Sequence, residues 1–135
     1  MNKAIFYQSW GGLGDNLQFS TLPELYYNIG IPFYVNKDNV CRNVEINKLV
    51  WETNPYFKGY TDETPNCGSI LPYFNVTGNQ IMNWESIHGF LPKNKTPKLY
   101  YKPNIIDKLK DKIVLSLQFI SGNYQYFTEE YLYNN

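Results

Sequence analysis

Short apolar runs alternate with stretches of helical periodicity over the first 60 residues of the chain. Runs rich in β-branched and aromatic residues predict strands over Lys3–Tyr7, Pro32–Val35 and Tyr56–Tyr60. Between them, apolar residues at helical spacing predict one helix that ends at Gly30 and a second over Asn43–Trp51. Strands that alternate with helices in this way are typical of a parallel sheet. We therefore expect an α/β domain of Rossmann-like, three-layer architecture, with a mostly parallel sheet flanked by helices.

The sequence allows two starts for the first of these helices. The helix either begins at Asp15 and is kinked by Pro23, or it begins after Thr21 with Pro23 in its first turn. Thr21 and Glu24 stand in the spacing of a capping box, which supports the second start. Both starts remain open at this point.

The second half of the chain has a weaker pattern. Thr61–Asn79 contains prolines and glycines among polar residues and is predicted to be irregular. Further elements are predicted beyond it: a helix over Gln80–Phe90, a strand over Lys98–Tyr101, a helix over Pro103–Asp111, a strand over Lys112–Ile120 and a final helix from Thr128. We assign residues 1–111 to the Rossmann-like domain. Residues 112–135, a terminal strand and helix, either complete that domain or begin a second one.

Composition limits the classes of function. A chain of 135 residues with 43% apolar residues fits one domain with its own core. Twelve basic and twelve acidic residues leave no net charge, which argues against nucleic-acid binding because that needs a positive groove. No apolar run approaches the ~20 residues of a membrane span, and the first residues do not resemble a secretory signal. We therefore expect a cytoplasmic protein without an integral membrane segment.

Cysteine and histidine give no indication of a metal centre or a cofactor. Cys41 and Cys67 lie outside any metal-binding spacing, and we expect two free thiols, with a disulfide as the open alternative. His88 follows Glu85 by three positions on the predicted helix, but a metal site needs three or four ligands. We expect a packed or interface histidine, no metal and no cofactor.

A glycine-rich segment follows the first predicted strand and precedes the first helix. Gly11, Gly12 and Gly14 fall within four positions, which indicates positive φ angles or a close approach of the backbone to another group. A strand, a glycine-rich turn and a helix together can present backbone N–H groups to a ligand. The pattern is neither a dinucleotide fingerprint nor a triphosphate loop. A ligand-binding loop and a plain tight turn are both open.

Asp15, at the end of this glycine-rich segment, also has two interpretations. An aspartate at the start of a helix is most often a cap. An aspartate that follows a glycine-rich turn at a sheet edge can instead be a general base for a hydroxyl nucleophile.

The segment from residue 10 to residue 25 resembles a known enzyme family. It reads Trp10-Gly-Gly-Leu-Gly-Asp-Asn-Leu-Gln-Phe-Ser-Thr-Leu-Pro-Glu-Leu25 and is similar to the opening of the ADP-heptose:lipopolysaccharide heptosyltransferase-like glycosyltransferases. The Leu-Gly-Asp segment at 13–15 carries the resemblance, together with Leu17, Thr21, Pro23 and Leu25. Ile29–Val35 and Lys48–Tyr56 fit the following strand and the helix-to-strand passage, so the resemblance covers about the first 60 residues.

The resemblance implies the N-terminal domain of a GT-B glycosyltransferase, the half that binds the acceptor. By this resemblance Asp15 is the catalytic base of an inverting hexosyl or heptosyl transfer. The substrate-binding residues that it implies are Gly11, Gly12, Leu13, Gly14, Asn16 and Gln18. A nucleotide sugar and a sugar acceptor would be the substrates.

The resemblance also implies a second domain, which holds the nucleotide sugar. At 135 residues the chain is expected to be a truncated form or one half of a two-domain transferase, with a homodimer or a second-domain partner. The alternative is a non-catalytic module of Rossmann-like fold that binds a small ligand or serves assembly. Aromatic residues make up 18% of the chain, and exposed Tyr and Trp suit stacking against sugar rings.

Overall fold

A computed structural model of the chain describes residues 1–102, which contain a sheet of four parallel strands. The strands are β1 (Ala4–Tyr7), β2 (Phe33–Asn36), β3 (Phe57–Thr61) and β4 (Cys67–Gly68). Their order across the sheet is β3-β2-β1-β4, with every neighbouring pair parallel. The first two connections extend the sheet to one side of β1, and the third places β4 on the other side. The predicted α/β, Rossmann-like class is confirmed.

The helices occupy the connections of this sheet. Helices α1 (Leu13–Leu17) and α2 (Leu22–Asn28) follow β1, and α3 (Val44–Asn47) follows β2 and continues directly into a π-helical turn, Lys48–Glu52. Helix α4 (Gln80–Ile87) follows β4. The Asn79 side chain begins α4 by accepting a hydrogen bond from the Met82 N–H.

An aromatic core joins these helices to one face of the sheet. Ala4 and Phe6 on β1 are in register with Phe33 and Val35 on β2, so their side chains share that face. The Phe6 ring lies 4.9 Å from the rings of both Phe19 and Trp51, measured between centroids. Part of the high aromatic content is therefore core packing.

The structure resolves the two starts that were open for the first helix. Helix α2 begins at Leu22, immediately after Thr21, and Pro23 lies in its first turn, as the second alternative required. The predicted capping box does not form, because Thr21 has helical dihedral angles and its side chain makes no capping hydrogen bond. Asp15 belongs to the separate helix α1.

Other expectations about the elements also differ from the structure, several of them by a few residues at an end. Strand β4 lies inside Thr61–Asn79, the segment that was predicted to be irregular. Lys98–Tyr101 contains no strand and instead runs beside α2, where the Lys98 N–H donates to the Ser20 hydroxyl and the Lys98 ammonium pairs with Glu24. The predicted strand Pro32–Val35 begins at Phe33. The elements predicted from Pro103 onward, and the boundary at 111/112, lie outside the described residues.

Strand β4 ends at Gly68 because of the conformation and the contacts of this residue. Its φ of +97° is a left-handed conformation, and a Cβ there would lie 2.2 Å from the Tyr7 carbonyl oxygen. Its N–H points away from the β-ladder and donates to Nε2 of His88, at 2.9 Å. This hydrogen bond ties the end of β4 to the end of α4.

The contacts of His88 fix its tautomer. Nδ1 lies 2.6 Å from the Trp84 carbonyl oxygen, which can only accept, so Nδ1 carries the proton. Nε2 faces the Gly68 N–H, which can only donate, so Nε2 is unprotonated. Burial lowers the pKa of His88 to about 4. The expectation of a packed histidine agrees with this environment.

We expect the chain to lose stability as the pH falls from 6.5 towards 4. In the unfolded chain His88 takes up a proton near pH 6.5, whereas in the folded chain it does so only near pH 4. The neutral imidazole therefore contributes its full stabilisation of the fold above pH 6.5, and this contribution is lost as the pH falls towards 4. The free energy of unfolding should drop by about 2 kcal/mol between pH 7 and pH 5. Urea unfolding at a series of pH values measures this.

A His88→Gln variant is the control, because an amide does not titrate in this range. Its unfolding free energy should change much less between pH 7 and pH 5. His88 is the only histidine in the sequence, so its imidazole C2–H signal also reports its pKa directly. A measured pKa near 6.5, or the same pH profile in both proteins, would contradict the assignment.

Candidate functional site

A cleft opens at the carboxyl edge of the sheet, beside the point where the strand order reverses. Trp10 comes from the segment after β1, and Tyr73 and Gln80 come from the segment after β4. Open α/β sheets place ligands at this reversal, between the strands that diverge. The cleft has a volume of about 430 Å³ and is lined by Trp10, Gln18, Tyr73, Gln80 and Trp84. We call these five residues the aromatic cleft.

Three aromatic rings shape the cleft. Trp84 is 2% exposed and packs on Phe19, with 4.6 Å between ring centroids, so its ring is held firmly by the core. Tyr73 lies 5.2 Å from Trp84 at an interplanar angle of 60°. Trp10 and Tyr73 are 44% and 46% exposed and can contact a ligand. Tyr73 and Trp84 thus form an open wedge.

Gln18 presents a defined hydrogen-bond donor to the cleft. The Trp84 indole Nε1–H donates to the Gln18 side chain at 3.0 Å, and an indole nitrogen can only donate. The receiving atom is therefore the amide oxygen, and the amide NH₂ remains for another partner. Gln18 is the one predicted substrate-binding residue that lines the aromatic cleft.

Asn83, which is buried behind the cleft, holds Tyr73 in place. Its Oδ1 accepts from the N–H groups of Val76 and Thr77, both at 3.0 Å, so its amide orientation is fixed. Its Nδ2 then donates to the Tyr73 hydroxyl oxygen at 2.9 Å and to Asn75. Because the Tyr73 oxygen accepts, its O–H proton is available to a ligand.

The glycine-rich segment packs mainly against the protein itself. A Cβ at Gly11 would lie 2.9 Å from backbone atoms of Val40 and Cys41, and the Gly11 carbonyl accepts from the Arg42 N–H. Gly14 has open space around it, and Leu13 is exposed. The predicted close approach of the backbone is confirmed at Gly11, which lies against the backbone of the loop after β2.

Asp15 stabilises the start of α1 and lies one helical turn before Gln18 of the aromatic cleft. Its Oδ2 accepts from the Gly12 N–H at 2.8 Å, and a Cβ at Gly12 would lie 2.7 Å from the same oxygen. Asp15 precedes Gln18 by three residues, so both side chains project from the same side of this helical segment. The carboxylate is half-buried, and Oδ1 makes no hydrogen bond within residues 1–102.

Asn16 faces the core. It is fully buried, its Nδ2 donates to the Gly12 carbonyl at 2.9 Å, and its Oδ1 accepts from Trp51 Nε1 at 3.0 Å. Both ends of this amide therefore have protein partners. Asn16 was predicted to bind substrate; in the structure its side chain joins α1 to the π-helical turn.

Three further titratable groups have structural partners or are poor nucleophiles. The Glu85 carboxylate is buried and accepts from the N–H groups of Lys93 and Asn94. Both cysteines are free; burial raises the pKa of Cys67 to about 12 and raises that of Cys41. Within residues 1–102, no three His, Cys, Asp or Glu side chains come together as a metal site requires.

A second cleft, of about 580 Å³, lies at the same edge of the sheet and has an acidic lining. Asp38, Asp62 and Glu63 contribute to it, and two of these carboxylates pair with lysines, Asp62 with Lys37 and Glu63 with Lys3. Its charge disfavours a phosphate or a nucleotide diphosphate.

Comparison with known proteins identified no relative of this chain: no protein-family model, no curated sequence and no solved structure matches it significantly. In the part of the chain that the structure describes, no helix has both the length and the apolar character needed to cross a bilayer.

Four members of the aromatic cleft could not be predicted from the sequence. Trp10 lies about 60 residues before Tyr73, Gln80 and Trp84, and none of the four was singled out as a site residue. The available signal was general: the aromatic content suggested that exposed Tyr and Trp could stack on sugar rings.

Proposed function

We propose that this chain is the acceptor-binding domain of a GT-B sugar transferase. The observation that carries the proposal is the aromatic cleft at the strand-order reversal, with Asp15 one helical turn before Gln18, which belongs to the lining. The resemblance of the segment around Asp15 to heptosyltransferase-like enzymes supports the same function. A cytoplasmic location is part of the proposal, and the two free cysteines support it because they suit a reducing compartment.

In this proposal the acceptor sugar lies in the aromatic cleft with one hydroxyl directed at Asp15. The Asp15 carboxylate accepts the hydroxyl proton while the oxygen attacks the anomeric carbon of a nucleotide sugar. The bond from that carbon to the nucleotide breaks, and the nucleotide leaves with the electron pair, which inverts the anomeric configuration. The hydrogen bond from Gly12 to Oδ2 fixes the carboxylate, and Oδ1 is the atom that takes the proton.

The nucleotide sugar requires a donor-binding domain, either on the same polypeptide or on a partner. Within residues 1–102, neither cleft has the basic lining that a diphosphate needs. Transfer should therefore depend on a second protein domain.

A non-catalytic ligand-binding module is the second candidate, and one observation favours it. The Asp15 carboxylate already has a structural partner in the Gly12 N–H, which is the role of a helix cap. In that case the aromatic cleft would bind its ligand without any chemistry at Asp15.

A transfer assay separates the two candidates. The full chain is incubated with nucleotide sugars and saccharide acceptors, alone and mixed with the donor-binding domain of a heptosyltransferase-like enzyme. We expect glycoside formation and nucleotide release only in the mixture. Saccharide binding without product in any mixture would contradict the transferase and favour the binding module.

A further inference from the structure

We infer that the aromatic cleft recognises an uncharged pyranose and discriminates against phosphorylated sugars and against nucleosides. The inference rests on the proposed function for the role of the ligand as acceptor, but the binding itself can be measured without any transfer. Three features of the cleft carry it: its charge, its hydrogen-bond donors and the arrangement of its rings.

The lining of the aromatic cleft contains neither an acidic nor a basic residue. Its members are two tryptophans, one tyrosine and two glutamines. A phosphate is normally held by Arg, by Lys or by free N–H groups at a helix N-terminus. At the start of α1 one N–H group, that of Gly12, already donates to the Asp15 carboxylate. That carboxylate places a negative charge at the start of α1, where it would repel a phosphate.

The cleft offers donors whose orientation is fixed before the ligand binds. The Gln18 amide oxygen is held by Trp84 Nε1, which leaves the amide NH₂ as the donor. The Tyr73 oxygen accepts from Asn83, which leaves the phenolic O–H as a second donor. Gln80 adds an exposed amide that can donate or accept. The hydroxyl and ring oxygens of a sugar are suitable acceptors for such donors.

The rings suit the apolar face of a pyranose better than a nucleobase. A base is bound most strongly between two nearly parallel rings, but Tyr73 and Trp84 meet at 60° and leave no parallel slot. The C–H face of a pyranose needs only one exposed ring, and Trp10 provides it. A volume of about 430 Å³ is in the range of small-molecule sites, roughly 300–1,000 Å³.

The test is calorimetric titration of the full chain with methyl glucoside, methyl galactoside and methyl mannoside, with the corresponding 6-phosphates, and with adenosine and uridine. We expect saturable binding of at least one methyl glycoside, and binding of its 6-phosphate that is roughly tenfold weaker or more. The nucleosides should also bind more weakly than that glycoside.

Variants locate the binding. Trp10→Ala should weaken binding of the methyl glycoside roughly tenfold, because the exposed ring is lost. Tyr73→Phe keeps the ring and removes the fixed O–H donor, so it should weaken binding roughly three- to tenfold. Tyr101→Ala is the matched control, since Tyr101 is 43% exposed and does not line the cleft. It should leave the affinity within about twofold of the wild type.

The inference is wrong if no methyl glycoside binds, if a 6-phosphate or a nucleoside binds as tightly as the best glycoside, or if Trp10→Ala and Tyr101→Ala have the same effect. Failure of this inference and failure of the proposed function give different results. Glycoside binding at the cleft without transfer would retain the inference and reject the transferase. Transfer to phosphorylated acceptors alone would support the transferase and reject the inference.

Discussion

Replacement of Trp51 by alanine is expected to lower the free energy of unfolding by about 4–6 kcal/mol, a large part of the stability of an ordinary domain. Trp51 is fully buried, and its ring lies 4.9 Å from Phe6 and 6.0 Å from Phe33 between centroids. Its Nε1–H donates to the buried side-chain oxygen Oδ1 of Asn16 at 3.0 Å. Alanine would leave a cavity in the core and an unpaired polar atom beside it.

One further variant isolates the hydrogen bond of Trp51, and another is a control at an exposed tryptophan. Trp51→Phe keeps most of the ring but loses the N–H, so it should cost about 1–3 kcal/mol. Trp10→Ala removes an exposed tryptophan and should cost less than about 1 kcal/mol. Urea unfolding followed by circular dichroism measures all three. If Trp51→Ala were no more destabilising than Trp10→Ala, the description of the core would be incorrect.

Replacement of Asp15 by asparagine is expected to reduce transfer, in the presence of the donor-binding domain, by about 10²–10⁴-fold. Asparagine has nearly the same shape, and its side-chain oxygen can still accept from the Gly12 N–H, so α1 keeps its cap. An amide does not accept the proton of an acceptor hydroxyl at neutral pH. The fall in kcat should therefore come without a comparable loss of stability or of saccharide affinity.

Controls separate the loss of the base from other losses. Asp15→Ala removes both the carboxylate and the cap, so it should lose transfer and about 0.5–2 kcal/mol of stability. Asp38→Asn makes the same chemical change at an exposed aspartate outside the aromatic cleft and should transfer normally. Unchanged kcat in Asp15→Asn would show that this carboxylate is only a cap.

The sheet could be predicted from the sequence because its longer strands carry a local signal. β1, β2 and β3 are short apolar or aromatic runs separated by helical periodicity, and that alternation indicates parallel pairing. β4 carried no such signal, because two residues are too short for periodicity. Its position depends on Gly68 approaching Tyr7 and on a hydrogen bond to His88, twenty residues away.

The site was harder to predict than the fold. Glycine density correctly indicated a close backbone approach at Gly11, but the sequence could not show that the neighbour is the Val40–Cys41 backbone. Gln18 was predicted as a substrate-binding residue, and it lines the aromatic cleft. Trp84 joins it through a hydrogen bond that spans 66 positions of the chain, a separation at which spacing carries no information.

The indole N–H signals of the full chain test the central claim, that the aromatic cleft is the ligand site, most directly. Three tryptophans give three signals: Trp10 and Trp84 line the cleft, and Trp51 is buried against Asn16. In a ¹H–¹⁵N titration with a methyl glycoside, we predict saturable shifts of the Trp10 and Trp84 signals and of the Gln18 side-chain amide, while the Trp51 signal stays in place. Saturable shifts that leave Trp10 and Trp84 unmoved, or no shifts at all, would contradict the claim.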